Sequence, residues 1–252
     1  MNELVGKSII VTGAAKGIGE AAARRFGVAG AKLVLADRDA AAGHALEAEL
    51  RALTADVHFV ETDVTDEGEV KRMVDAAIQH FGRLDGAFNN AGINCAMKTL
   101  HELDLSEFRR VIDVNLTGLF LCMKYEIARM MEIGGGAIVN SGSTASIKGL
   151  PAAPEYNASK HGMLGLMRSA ALDYGKRGLR VNTLIIGATV TPMFEAKRPG
   201  AAQDPQVLER INPMGRMAQP REIAESALWL LSDASSYVNG AAIAVDGASS
   251  AV

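Results

Sequence analysis

Short β-branched runs alternate with longer amphipathic stretches along the whole chain. Lys7–Thr12, Lys32–Ala36, Val57–Glu61, Asp85–Asn89, Gly136–Ser141, Arg180–Ile185 and Ala241–Val245 read as strands. Gly17–Ala29, Ala40–Leu53, Glu67–Phe81, Leu105–Met131, Glu155–Lys176 and Arg221–Leu231 read as the helices between them. In Glu67–Phe81 the apolar Val70, Met73, Val74, Ala77 and Ile78 share one helical face. Asp104 and Glu107 form a capping-box variant, and Pro154 and Pro220 stand where helices begin. The strands are continuous apolar runs, the mark of a sheet buried on both faces. The alternation therefore predicts an α/β fold: a doubly wound parallel sheet of about seven strands with helices on both faces.

At 252 residues the chain suits one such domain, 1–252. With 48% hydrophobic and 22% charged residues it is neither disordered, collagenous nor coiled coil. A net charge of −3 gives no basic surface for nucleic acid or anionic lipid. No apolar run approaches the roughly 20 residues of a membrane span. Met1–Lys7 shows no signal-peptide pattern, and two cysteines, Cys95 and Cys122, at no metal-ligand spacing point to a reducing cytoplasm and no metal site. The one interruption, Thr189–Pro213, carries Pro192, Pro199, Pro205 and Pro213. It is read as a substrate lid over the carboxyl ends of the strands, with a plain surface loop as the alternative.

Strand one runs straight into Gly13-x-x-x-Gly17-Ile18-Gly19 and then into helix. Such a turn lets backbone approach a pyrophosphate, which the helix N-terminus then holds. There is no Lys-Ser/Thr ending of an NTPase loop. Asp37, at the end of strand two, can accept the ribose hydroxyls of NAD and would repel a 2′-phosphate. Lys16 and Arg38 favour that phosphate, so NADP is the less favoured cofactor. Further on, Tyr156 and Lys160 share a helix face at i and i+4, where an ammonium can lower a phenol's pKa. Alone, such a pair is weak evidence. Strands four and five, however, end in Asn89-Asn90-Ala91-Gly92 and Asn140-Ser141-Gly142-Ser143, at the edge where ligands bind.

Taken together, Thr12-Gly13-x3-Gly17-x-Gly19, Asp63-Val64, Asn89–Gly92, Asn115, Ser143, Tyr156-x3-Lys160 and Thr191-Pro192 resemble the short-chain dehydrogenase/reductase family over nearly the whole chain. The resemblance implies a Rossmann fold and NAD-dependent oxidation of secondary alcohols or reduction of ketones. Tyr156 would be the acid/base, Ser143 would orient the substrate oxygen, and Asn115 would hold a water linking Lys160 to solvent. Lys160 would bind the nicotinamide ribose and depress the Tyr156 pKa. Besides Gly13, Lys16, Gly17, Ile18, Gly19, Asp37 and Arg38, the cofactor would meet Asp63, Val64, Asn89, Ala91, Gly92, Tyr156, Lys160, Gly187, Thr189 and Thr191. It also implies a homotetramer built on the two long helices, where Gly162, Gly165, Ala170 and Ala171 would allow close approach.

Two departures stand out. Ile186-Gly187 replaces the family's Pro-Gly, which restores an N–H and frees a φ. Asp246-Gly247-Ala248 replaces Asp-Gly-Gly, read as the milder change. Ser143, Tyr156, Ile93, Ala145, Leu150 and Met193 are the expected substrate residues, with Asn94, Met97, Thr144, Ile147 and Phe194 as further wall. Lys98, Lys148 and Lys197 nearby read as solvated. The mostly apolar wall suits a hydrophobic, including a cyclic, secondary alcohol or ketone. Two alternatives stand beside this reading. One is an NADPH-dependent 3-oxoacyl-carrier-protein reductase, which Asp37 and the nearness of Glu132 to Arg129 in sequence oppose. The other is an NAD-binding sensor without turnover, which would not need Ser143, Tyr156, Lys160 and Asn115 together.

Overall fold

The structure, a computed structural model, describes every residue except 1, 2, 54, 55, 198, 201, 205, 209–211 and 252. Strands β1 (Ser8–Thr12), β2 (Lys32–Asp37), β3 (Val57–Glu61), β4 (Gly86–Asn89), β5 (Gly136–Ser141), β6 (Leu179–Ile186) and β7 (Ala242–Val245) form one seven-stranded parallel sheet. Its order is β3-β2-β1-β4-β5-β6-β7. The winding reverses between β1 and β4, and there a crevice opens at the carboxyl edge. Thr12 lies level with Ala36 on one side and Asn89 on the other, and Asn89 with Asn140, so the strand ends line up.

Both faces are apolar, as the unbroken strand pattern requires. On one face Ile9, Val11, Leu33, Leu35 and Val139 pack against α1 (Gly17–Val28), α2 (Ala40–Leu53) and the C-terminal helix Pro220–Leu231. On the other, Ile10, Val34, Ala87, Ile138 and Val181 meet α3 (Glu67–Phe81) and the two long helices. Every expected strand is present. Every expected helix but one ends within two residues of its reading.

The exception is Leu105–Met131. It comprises α4 (Leu105–Ile112), a π-helical turn at Asp113–Thr117 and α5 (Gly118–Glu132). The π turn inserts one residue into the helical repeat and turns Asn115 inward, 1% exposed. α6 (Pro154–Tyr174) begins at Pro154 as expected. Gly162 is not free for a partner helix, because a side chain there would strike Leu116 of the π turn, whereas Gly165 faces open space. The excursion from Thr189 contains a short helix, α7 (Pro192–Lys197), and is followed by α8 (Pro220–Leu231). Pro205 and the neighbouring residues 198, 201 and 209–211 lie outside the described residues. The feet of the excursion are joined: Thr189 bridges Ala218, and Val190 N–H donates to Ala218 O at 2.9 Å. Among the described residues no helix is long and apolar enough to cross a membrane.

The departures have visible effects. Ile186 continues β6 level with Val245, and Gly187 N–H donates to Val245 O at 3.1 Å. Ala248 is not the milder change for the backbone. Its φ is +67°, a left-handed conformation that costs a non-glycine residue about 1 kcal/mol or more.

One charged group is buried in the body of the sheet. Glu126 on α5 is wholly inaccessible; its Oε2 accepts from Asn89 Nδ2 at 2.9 Å, while Oε1 has no partner. Burial raises its pKa from 4.5 to about 7. The folded state thus holds a proton that the unfolded chain releases above about pH 4.5, so stability falls as pH rises towards 7. The span of that shift corresponds to about 3 kcal/mol. Thermal melts at pH 5.5 and pH 8 should therefore separate less in Glu126→Gln than in the wild type; equal separations would remove this carboxyl from the pH dependence.

Candidate active site

The turn after β1 is shaped by close approach. A Cβ on Gly19 would stand 1.9 Å from Gly13 O, and one on Gly13 would stand 2.9 Å from Ala91 Cα. Thr12 Oγ1 accepts from Asn90 N–H and Ala91 N–H, both at 3.0 Å. Asn90 Nδ2 reaches Thr12 O and Gly13 O at 3.2 and 3.1 Å. Thr12, quoted above without a role, and Asn90 of the Asn89–Gly92 run thus tie the glycine turn to the end of β4. The N-cap position of α1, Lys16, makes no side-chain cap. An uncapped helix start beside a glycine turn fits a pyrophosphate.

Asp37 stands over this turn, accepting from Ala15 N–H and Asp39 N–H, each at 3.0 Å. Lys16 is drawn away to Asp39 at 2.6 Å, while Arg38 is exposed. Asp63 accepts from Thr65 N–H and Oγ1 at 2.9 and 2.7 Å; these bonds, and secondarily Arg38, hold its pKa below the ordinary value. Val64 is buried against Gly118. Asn89 departs from its expected place. Its side chain turns into the core towards Glu126 and Asn140, leaving only its backbone at the strand end.

Around the other half of the crevice, Ser143 opens a tight turn and its Oγ accepts from Ala145 N–H at 3.2 Å. Tyr156 and Lys160 lie on the first turns of α6, and Lys160 Nζ stands 5.6 Å from the Tyr156 ring centre. Lys160 Nζ donates to Ser141 O, the last carbonyl of β5, at 2.7 Å. Burial lowers the Lys160 amine to about 8. The Tyr156 phenol lies above its ordinary value because burial outweighs the neighbouring Ser143 hydroxyl, and the Cys95 thiol adds to the rise. The expected depression of that phenol is therefore not a property of the unliganded protein: desolvation is the largest influence on both groups.

Asn115 holds Ile93 by both backbone groups, accepting from its N–H at 2.8 Å and donating to its O at 2.9 Å. Gly92 lies against the same amide. Asn157, another unassigned residue, clamps Leu150 in the same two-sided way at 3.1 and 2.8 Å. Ala145 is fully buried, whereas Met193 on α7 is 46% exposed. Thr189 Oγ1 donates to Gly187 O at 3.0 Å, and Thr191 Oγ1 accepts from Phe194 N–H at 3.2 Å at the start of α7. Lys148 is not solvated but donates to Ser249 O, and Lys98 pairs with Glu107 at 2.7 Å. The sequence reading also missed Glu155: fully buried beside Tyr156, it accepts from Ala96 N–H at 2.6 Å.

Comparison with known proteins agrees with this geometry. The family described as "Enoyl-(Acyl carrier protein) reductase" matches residues 13–249. A 2,5-dichloro-2,5-cyclohexadiene-1,4-diol dehydrogenase of Sphingobium indicum is 44% identical, with 100% of each chain covered. A cyclohexanol dehydrogenase of Acinetobacter sp. (strain SE19) is 36% identical over 98% of this chain and 96% of its own. The crystal structure of a levodione reductase superposes with a TM-score of 0.93 at 36% identity, covering 99% of both chains.

The glycine turn gives a direct test. Gly19→Ala should lower dinucleotide affinity in calorimetry at least about ten-fold, since the added methyl must displace the Gly13 carbonyl; unchanged affinity would remove this turn from the binding site.

Proposed function

The chain belongs to the short-chain dehydrogenase/reductase family, and from that premise we propose that it moves a hydride between NAD and a hydrophobic cyclic secondary alcohol or its ketone. It is an oxidoreductase of CH–OH groups. The observation that carries the reading of the site is the meeting of buried Ser143 and Lys160 with half-buried Tyr156 at the carboxyl edge. Bound nicotinamide supplies or takes the hydride. Tyr156 exchanges the hydroxyl proton with the substrate oxygen, and Ser143 orients that oxygen. Lys160, with its amine near 8, is mostly cationic at pH 7 and favours the phenolate. Its bond to Ser141 O holds the amine at the end of β5, where it would bind the cofactor ribose.

NAD is favoured over NADP by the charges at the end of β2. Asp37 faces the place of the adenosine ribose, and a 2′-phosphate there would meet its carboxylate. Of the two cations able to offset this, Lys16 is already paired with Asp39, while Arg38 stays exposed.

We also read the chain as one domain whose residues 189–213 act as a lid, hinged where Thr189 and Ala218 join. Its assembly is proposed as a homotetramer: an apolar groove of about 450 Å³ between α5 and α6, lined by Phe120, Met123, Ile127, Met131, Leu166 and Tyr174, is what a second copy would cover. Light scattering that returns a monomer would end this part of the proposal. The cytoplasm is the proposed compartment, consistent with the free Cys95 and Cys122.

Tyr156→Phe should cut kcat with cyclohexanol by about 10²–10⁴ while NAD affinity stays within about three-fold; retained turnover refutes the acid/base role. Because burial holds the phenol above its ordinary value, alcohol oxidation should gain as pH rises from neutral, while ketone reduction should hold its rate across the neutral range. Calorimetry should give NAD at least about ten-fold tighter than NADP, with the gap narrowing in Asp37→Ala. An NADP preference in the wild type would instead favour the carrier-protein reductase reading.

A further inference from the structure

The segment from Asn90 to Thr99 forms neither helix nor strand, yet it lies against the reacting groups, with Cys95 near enough to Tyr156 to influence its proton. Among the described residues, none of its amides donates to a backbone carbonyl. The bonds they make all go to side chains. Asn90 and Ala91 donate to Thr12, Ile93 to Asn115, Cys95 to Asn94, Ala96 to Glu155 and Thr99 to Glu102. The shape of this wall is thus written in side chains rather than in the sheet ladder.

One stretch of the wall is strained. Met97 has φ +62°, a conformation that non-glycine residues hold only where their surroundings impose it. The nearest restraint is one residue back, where Ala96 N–H meets Glu155 Oε1 at 2.6 Å. Glu155 is itself 0% exposed, and its Oε2 is buried without a partner. A carboxyl in that position is expensive to bury. The start of α6 offsets part of this through the helix dipole. An apolar residue would avoid the penalty altogether, but it could not hold Ala96. Glu155 also directly precedes Tyr156. The same residue therefore joins the wall to the turn that carries the phenol.

We propose that Glu155 is a positioning residue for substrate: by accepting the Ala96 amide it fixes the wall formed by residues 93–97 at a set distance from Tyr156. The role rests on the cyclic-alcohol reading, with the wall on the substrate side of the crevice. Glu155 does not touch the reacting atoms. It acts through Ala96 on Ile93, Cys95 and Met97, and so on how tightly and in what pose a ring is held.

The test uses the full chain with NAD and cyclohexanol, and compares Glu155→Leu with Glu155→Gln. Leucine fills the space without an acceptor; glutamine keeps an acceptor for Ala96 but removes the charge. Glu155→Leu should raise the KM for cyclohexanol at least about ten-fold, with the Kd for NAD within about two-fold. Glu155→Gln should return that KM to within about three-fold of the wild type. Hydrogen exchange of the unliganded protein should show the 92–98 segment opening faster in Glu155→Leu and not in Glu155→Gln. If glutamine behaves like leucine, the charge serves the helix dipole and the proposal fails. It fails equally if the Leu variant leaves KM and exchange unchanged, or weakens NAD as much as alcohol. Should Glu155→Leu not fold, the wild type still decides, because a freely exchanging Ala96 amide would overturn the clamp. A wild type inert towards cyclic alcohols would overturn the substrate reading alone, since the exchange result stands without turnover.

Discussion

Seven parallel strands can be joined only by crossovers, and each crossover leaves its turn at the same edge of the sheet. That constraint gathers the site. Residues as distant in sequence as Gly13, Asp37, Asp63, Ser143 and Thr191 follow strand ends whose registers are level, so they share one edge without contacting one another along the chain. The reversal of winding between β1 and β4 then separates two neighbouring turns. Thr12 and Asn90 bridge that separation, holding the glycine turn after β1 and the wall after β4 to one frame.

Burial does the electrical work within this frame. Lys160 is buried and Tyr156 half-buried, and in both desolvation is the largest influence on the proton equilibrium. A fully hydrated lysine would sit well above neutral pH and give up its proton rarely. Drawn down to about 8, it stands where small changes in surroundings alter its charge. Its bond to Ser141 O keeps it from drifting to solvent, and that carbonyl is fixed because β5 is paired on both sides. Glu126 is the contrasting case. It is equally buried but lies behind Asn89 in the core, so its proton answers to folding rather than to substrate.

Most of the architecture was legible in the residues. Apolar runs and helical periodicity located every strand and nearly every helix boundary, and glycine spacing located the tight turn after β1. What escaped did so for physical reasons. The π turn at Asp113–Thr117 shifts the helical phase by one residue, too little to disturb a long amphipathic pattern; only the oddity of Asn115 within a helix hinted at it. α7 is six residues long, too short for periodicity to declare itself. The inward turn of Asn89 depends on Glu126, 37 residues away, and register alone brings them together. Glu155 was hidden by an ordinary explanation, since an acid in the first turn of a helix needs no further reason.

Two kinds of hydrogen bonding hold the crevice. In the glycine turn after β1 the groups that matter are backbone, set by strand ends and a helix start, and backbone geometry tolerates little change without loss of the sheet. The wall after β4 is held instead by the side chains Asn115 and Glu155, and the loop before α6 by Asn157. Side-chain clamps can be exchanged singly, with the ladder behind them untouched. A fold arranged in this way can keep one hydride chemistry while its wall is refitted to different rings. Relatives that share the fold at 36% to 44% identity yet differ in the ring they act upon are what such a division allows.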